Sequence, residues 1–108
     1  MKKPPRARAT RRAADRQAQA VTRKRDRVAA LEPGGDATWP IAVASTAVIE
    51  RRIAELACAR CAGPLTVEAH DAAVVDGLRR RVVRARCARC SALRTLWFEV
   101  VTLIEADN

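Results

Sequence analysis

Beyond residue 37 the large apolar residues tend to fall at alternate positions, the period of a strand with one buried face. The stretch "TWPIAVASTAVIE" (38–50) sets Ile41, Val43 and Ile49 against smaller residues and predicts one or two strands. Pro40 confines their start to a sheet edge, because it has no N–H to give to a ladder. "RRIAELA" (51–57) suits either a strand or a short helix, and the β pattern after it favours a strand. "GPL" (63–65) reads as a turn. Two β-compatible runs follow, "LTVEAHDAAVV" and "LRRRVVRARC", separated by Asp76-Gly77. Asp-Gly between two such runs is the strongest short-range hairpin signal. The last run, "ALRTLWFEVVTLI", puts Leu96, Phe98, Val100 and Ile104 on one face and Trp97 on the other. Trp97 is expected to pack against residues 39–49 over the second side of the sheet.

Residues 5–31 have a different grain. They contain no Gly and no Pro after Pro5, and they are dense in Ala, Arg and Gln, all good helix formers. Their apolar stripe is thin: Val21, Val28 and Leu31, with only Ala before them. Such a helix has little to bury, so it should be frayed or disordered when free and could order against a polyanion. "EPGGD" (32–36) breaks it. The expected organisation is a basic helical or disordered arm (1–31), a hinge (32–37) and a β-rich domain (38–108) with its metal core at 52–100.

Charge sharpens that division. The chain has 108 residues and a formal net charge of +9. Residues 1–30 carry 11 Lys or Arg and two acids, whereas residues 31–108 carry 10 basic and 10 acidic residues. All of the excess charge therefore belongs to the arm, attached to a neutral body. A body this small rarely draws more than ~3–5 kcal/mol from its core alone, so some staple is expected. No apolar stretch near Met1 could serve as an export-signal core, and no run is long enough to span a bilayer. A reducing cytoplasm is the expected location, and disulfides are rare there.

The four cysteines supply the staple. They form two identical tetrapeptides, Cys58-Ala-Arg-Cys61 and Cys87-Ala-Arg-Cys90, with 25 residues between the pairs. Cys-x-x-Cys lets one tight loop offer two sulfurs to one ion, two such loops complete a tetrahedron, and a hairpin between them returns the second loop to the first. On spacing alone the site could hold zinc or iron, act as redox dithiols or form secreted disulfides. The pattern resembles the zinc-ribbon family, and within it small bacterial zinc-ribbon proteins, over roughly residues 52–100. That resemblance implies an antiparallel sheet with two cysteine knuckles at one end, and Cys58, Cys61, Cys87 and Cys90 as ligands of one structural zinc. It favours zinc over iron, as does the shortage of aromatic residues relative to rubredoxins. Ribbon knuckles commonly have Gly directly after the second Cys, where this chain has Ala62 and Ser91.

Catalytic constellations are absent from the sequence. Four thiolates would close the coordination sphere, leaving no open position for water. His70 is the sole histidine and reads as a partly exposed strand residue; Ser45-Thr46 have no base placed near them, and no phosphate-binding Gly loop exists. A non-enzymatic protein without a small-molecule substrate is expected. Arg60, Arg86 and Arg89, beside the knuckles, would offset the negative charge of a four-thiolate site. A two-residue turn at Asp76-Gly77 would put Arg80, Val82, Arg84 and Arg86 on one face, opposite to Val83 and Ala85.

Eleven cations in 30 residues are what a phosphate backbone attracts by counterion release. The candidate nucleic-acid contacts are Arg6, Arg8, Arg11, Arg12, Arg16, Arg23, Lys24, Arg25 and Arg27 on the arm, with Arg80 and Arg84 on the hairpin. RNA is expected ahead of DNA, because an arm joined to a ribbon resembles small ribosomal proteins. A membrane helix would need larger apolar residues opposite the charges. The alternative is a protein-interaction adaptor, or a homodimer, that uses the β surface of residues 39–49 and 92–104.

Overall fold

The computed structural model describes residues 7–101; Arg6 and Ile104 fall outside them. A long helix, α1 (Ala7–Ala30), leads through an ordered connection to a short strand β1 (Ile41–Val43), a single 3-10 turn (Thr46–Val48) and helix α2 (Ile49–Ala54). Three longer strands follow: β2 (Leu65–Val75), β3 (Leu78–Cys87) and β4 (Leu93–Val100). They form one four-stranded sheet in the order β1-β4-β3-β2.

The Asp-Gly turn is as tight as its chemistry allows. Val75 pairs with Leu78, leaving only Asp76 and Gly77 in the loop, and both have positive φ, 50° and 78°. That is the mirror-image turn whose twist matches the two strands it joins. One irregularity lies further down the hairpin, where the register shifts between Val67 and Ala69 and leaves Glu68 as an extra residue. The bulge brings the Glu68 carboxylate to the Arg86 guanidinium.

Two expectations need correction. Residues 49–54 are helical, so neither the second strand in 38–50 nor the strand preferred for 51–57 forms. Ile49 and Ile53 are four residues apart on one helical face and both are fully buried, with Leu56 partly buried on the next turn. Spacing of four and three outweighs the two-residue alternation once a sheet lies beneath it. The sheet is also mixed rather than antiparallel: β1 runs parallel to β4, pairing Ile41 with Phe98 and Val43 with Val100. Its place at the sheet edge agrees with Pro40 immediately before it.

One sheet face carries the core. Ile41, Val43, Val83, Ala85, Leu96 and Phe98 are buried there against Ile49 and Ile53 of α2. These are largely the residues proposed as an adaptor surface. Ile41, Val43, Ile49, Leu96 and Phe98 of the expected adaptor surface are thus internal, whereas Trp39, Leu93 and Val100 remain exposed.

The opposite face carries Arg80, Val82, Arg84, Arg86 and Trp97, following the strand alternation and the β3–β4 register. β1 extends the sheet and α2 lies on the other side. The connection after α1 approaches the Trp97 face. Gly34 accepts a bond from the Trp97 N–H (2.8 Å) and donates to Trp39 O (2.7 Å). Arg80 Nε donates to Ala37 O at 2.7 Å, and Asp36 Oδ1 accepts from the Thr38 N–H at 2.9 Å. Trp97 is half-buried there.

Candidate metal centre

The two Cys-x-x-Cys loops fold alike. In the first, the Cys58 N–H donates to Gly63 O (2.9 Å) and the Ala62 N–H to Cys58 O (2.8 Å). In the second, the Cys87 N–H donates to Ala92 O (2.9 Å) and the Ser91 N–H to Cys87 O (3.0 Å). Ala62 and Ser91, each directly after its second cysteine, have φ of 63° and 64°. The left-handed turn that Gly commonly supplies in such loops is made here by Ala and Ser, which meet a steric cost there that Gly avoids.

That turn aims backbone amides at sulfur. Arg60 N–H points at Cys58 Sγ (3.4 Å), Gly63 N–H at Cys61 Sγ (3.4 Å), and the Arg89 and Cys90 N–H groups at Cys87 Sγ (3.3 and 3.4 Å). The β2–β3 hairpin brings the loops together, and the Ala88 N–H bonds across to Pro64 O at 2.9 Å. All four sulfurs consequently lie within 4.8 Å of one another.

The donor set fits one tetrahedral ion. Cys58 and Cys90 sulfurs are 3.6 Å apart, and those of Cys61 and Cys87 are 3.4 Å apart. A regular tetrahedron with ~2.3 Å metal–sulfur bonds has edges of about 3.8 Å, whereas a disulfide would need about 2.05 Å. All four thiols are free. Gly63 shows how closely the cradle is drawn. A Cβ there would lie 2.9 Å from Cys87 Sγ, 2.9 Å from Arg89 Cβ and 3.2 Å from Cys61 Sγ.

Crowding also splits the acidities. The Cys90 N–H, opposed by desolvation and joined by the Arg89 N–H and neighbouring thiols, pulls Cys87 down to about 6. At Cys90 the Ala92 N–H pulls downward, but desolvation and three neighbouring sulfurs drive the thiol up to about 11. Four thiolates this close repel one another without a countercharge. A divalent cation held by the four sulfurs would resolve the conflict by accepting one lone pair from each thiolate.

The flanking arginines brace the loops. Arg86 donates to Ser91 O (2.8 Å) as well as pairing with Glu68. Arg60 reaches away from the sulfurs to α1, where Nε and Nη2 bind both Asp26 oxygens at 3.0 and 2.8 Å. The Arg60 guanidinium holds the Asp26 carboxyl below its ordinary range. Arg25 completes the clamp by donating to Arg60 O. His70 stands opposite Val83 in the hairpin and is not among the four clustered metal-binding groups. Its buried Nε2 has no hydrogen-bond partner.

Sequence spacing leads directly to the four sulfurs. It does not reveal Gly63 or Asp26. Gly63 is legible only as a turn residue, and Asp26 only as one of two acids in a basic helix. Among the hairpin candidates, Arg84 is exposed, but Arg80 is not a surface contact. Arg80 is 8 % exposed, bonded to Ala37 O and Arg79 O and 3.8 Å from Glu99. Burial of its guanidinium among these acceptors takes it away from any polyanion.

Replacing Gly63 by alanine tests the cradle. The added methyl must push the sulfurs or Arg89 aside, an overpacking cost of ~1–3 kcal/mol. Metal affinity should fall about 5–150-fold in competition against a chelator, while the stoichiometry stays at one. Unchanged affinity would mean that the loops are looser than their hydrogen bonds indicate.

No helix among the described residues is long and apolar enough to cross a membrane. Comparisons with protein-family models, with curated proteins and with solved structures find no match for this chain.

Proposed function

We propose that this chain is a non-enzymatic zinc-ribbon protein of the cytoplasm that binds nucleic acid through its basic N-terminal helix. The convergence of four sulfurs within 4.8 Å, where the hairpin meets its flanking loops, carries the metal half of this reading. Cys58, Cys61, Cys87 and Cys90 would hold the ion. When bound, it would cross-link two loops in a closed coordination sphere, a structural role. Zinc is preferred to iron on the ribbon resemblance. Domain boundaries follow from the same reading: a basic arm to residue 31, a connection at 32–37, and the ribbon domain beyond.

The nucleic-acid half is supported by charge and exposure. α1 carries Arg8, Arg11, Arg12, Arg16, Arg23, Lys24, Arg25 and Arg27, all exposed, against Asp15 and Asp26. Asp26 is already paired with Arg60. Among the described residues, no acid lies within salt-bridge reach of these cations, which leaves them free to meet phosphates. Arg84 adds an exposed cation on the sheet. RNA is placed ahead of DNA on the resemblance of arm-plus-ribbon proteins to small ribosomal ones.

Salt dependence tests this reading. With about six phosphate contacts, log Kobs against log[salt] should slope near −5. Deleting residues 1–30 should remove most of the affinity and most of that slope. Metal analysis and the ratio of absorbance at 260 and 280 nm on natively purified protein report the ion and any bound polymer together. Affinity that survives the deletion at moderate salt would refute the arm as the binding element.

A further inference from the structure

The helix α1 has three lengthwise strips, and only one is free and strongly cationic. Thr22 and Ala29 are the residues of α1 that lose exposure to the body. On either side of that line, Arg25 donates to the Arg60 carbonyl and Asp26 accepts from the Arg60 guanidinium. This is the docked strip, and the clamp sets the helix's rotation about its own axis. With 3.6 residues per turn, Arg12, Arg16, Arg23 and Arg27 fall within a sector of about 60° beside it. Ala14, Val21 and Val28 lie together on the other flank, with Val21 and Val28 exposed. Four of the eight cations of α1 thus lie within about one sixth of its circumference, and the other four are scattered around the rest.

That edge is straight and long. Arg12 to Arg27 spans about 22 Å at 1.5 Å per residue. A duplex offers a stiff partner with one charge per ~1.7 Å of axis, against ~3.4 Å for one strand. Binders of single strands add aromatic platforms on which bases stack, each worth ~1–3 kcal/mol. α1 contains no aromatic residue. Of the three aromatics in the chain, Phe98 is fully buried and Trp97 half-buried, leaving Trp39 as the exposed one, on the connection and not on the helix.

From this arrangement we infer that the phosphate-contacting edge is the Arg12–Arg16–Arg23–Arg27 strip, and that it fits a nucleic-acid duplex without reading its sequence. The inference rests on the nucleic-acid reading above and narrows it to one edge of one helix and one class of polymer. Arg11 and Lys24 lie outside the strip by about 100° and 60° respectively, so a helix laid along a duplex by its arginine edge turns them away.

The experiment uses the full-length, metal-loaded protein. Binding is measured by fluorescence anisotropy across a salt series on three probes: a short mixed-sequence DNA duplex, the corresponding RNA duplex, and a single-stranded homopolymer of equal phosphate number. Two charge-matched variants are compared, R16Q/R23Q on the strip and R11Q/K24Q off it, with circular dichroism confirming equal helix content. On a duplex, R16Q/R23Q should lose about 1.8 from the slope magnitude and about 60-fold in affinity at 0.1 M salt, at 0.9 per phosphate contact. R11Q/K24Q should lose less than half as much on a logarithmic scale, and the single strand should bind at least about tenfold more weakly than either duplex. Equal losses from the two variants, or a single strand bound as tightly as the duplexes, would overturn the inference while leaving nucleic-acid binding in place. No binding of any probe by the unaltered protein at low salt would overturn both.

Discussion

Serine at Cys87 should leave the body without a cooperative melt and without stoichiometric metal, and a strong chelator should do the same to the unaltered protein. Cys87 is 1 % exposed, ends β3, accepts N–H groups from Arg89 and Cys90, and lies 3.4 Å from the Cys61 sulfur. A hydroxyl there is a harder and more weakly acidic donor, so one coordination position is lost. Closed four-ligand zinc sites contribute apparent binding energies of ~10–16 kcal/mol near pH 7. The core of so small a body supplies only ~3–5 kcal/mol. The metal term exceeds the core term, and its loss should therefore unfold the body. Acidification acts in the same direction: each thiolate must be free of its proton to bind, so affinity falls as pH falls. Near-UV circular dichroism with elemental analysis checks the outcome. A metal-free protein with an unchanged cooperative transition would refute the structural role of the site.

Phe98 should give the largest effect outside the metal centre. It is the largest of the fully buried side chains, and it stands between Ile41 of β1 and Arg81 of β3 in the sheet register. Truncation to alanine removes apolar contact and leaves a cavity, at a typical cost of ~3–5 kcal/mol. For a domain of this size each kcal/mol shifts the melting temperature by roughly 4–8 °C. A fall of more than about 12 °C is expected in the metal-bound protein. Val100 is the contrast. It shares the face of Phe98 but is 44 % exposed, so Val100→Ala should change stability by less than about 0.5 kcal/mol. Comparable losses at both positions would mean that the far end of β4 is buried against something outside the described residues.

Much of the architecture follows from short-range constraints. Asp76-Gly77 specifies its turn because few residue pairs tolerate two consecutive positive φ angles. Each Cys-x-x-Cys loop specifies a pair of neighbouring sulfurs because the two-residue spacing closes one tight turn. The Arg80-to-Arg86 alternation holds because side chains on a strand must alternate, whatever packs on them. Residues 49–54 illustrate the opposite case. A short apolar run satisfies both a two-residue and a four-residue period, and the sheet beneath α2 selects the helix.

Local sequence alone specifies the hairpin turn, the two Cys-x-x-Cys loops and the segregation of charge into the first 30 residues, since each depends on neighbours within a few positions or on composition. The hairpin then carries the loops together across 26 and 32 positions. Tertiary structure decides the rest: the parallel pairing of β1 with β4, the burial of Arg80 against Ala37, and the Arg60 grip on Asp26 across 34 positions. Those contacts join residues far apart in the chain, and loop-closure entropy opposes each of them in isolation. They form only when the packed sheet and the drawn-together knuckles have already brought their partners within reach.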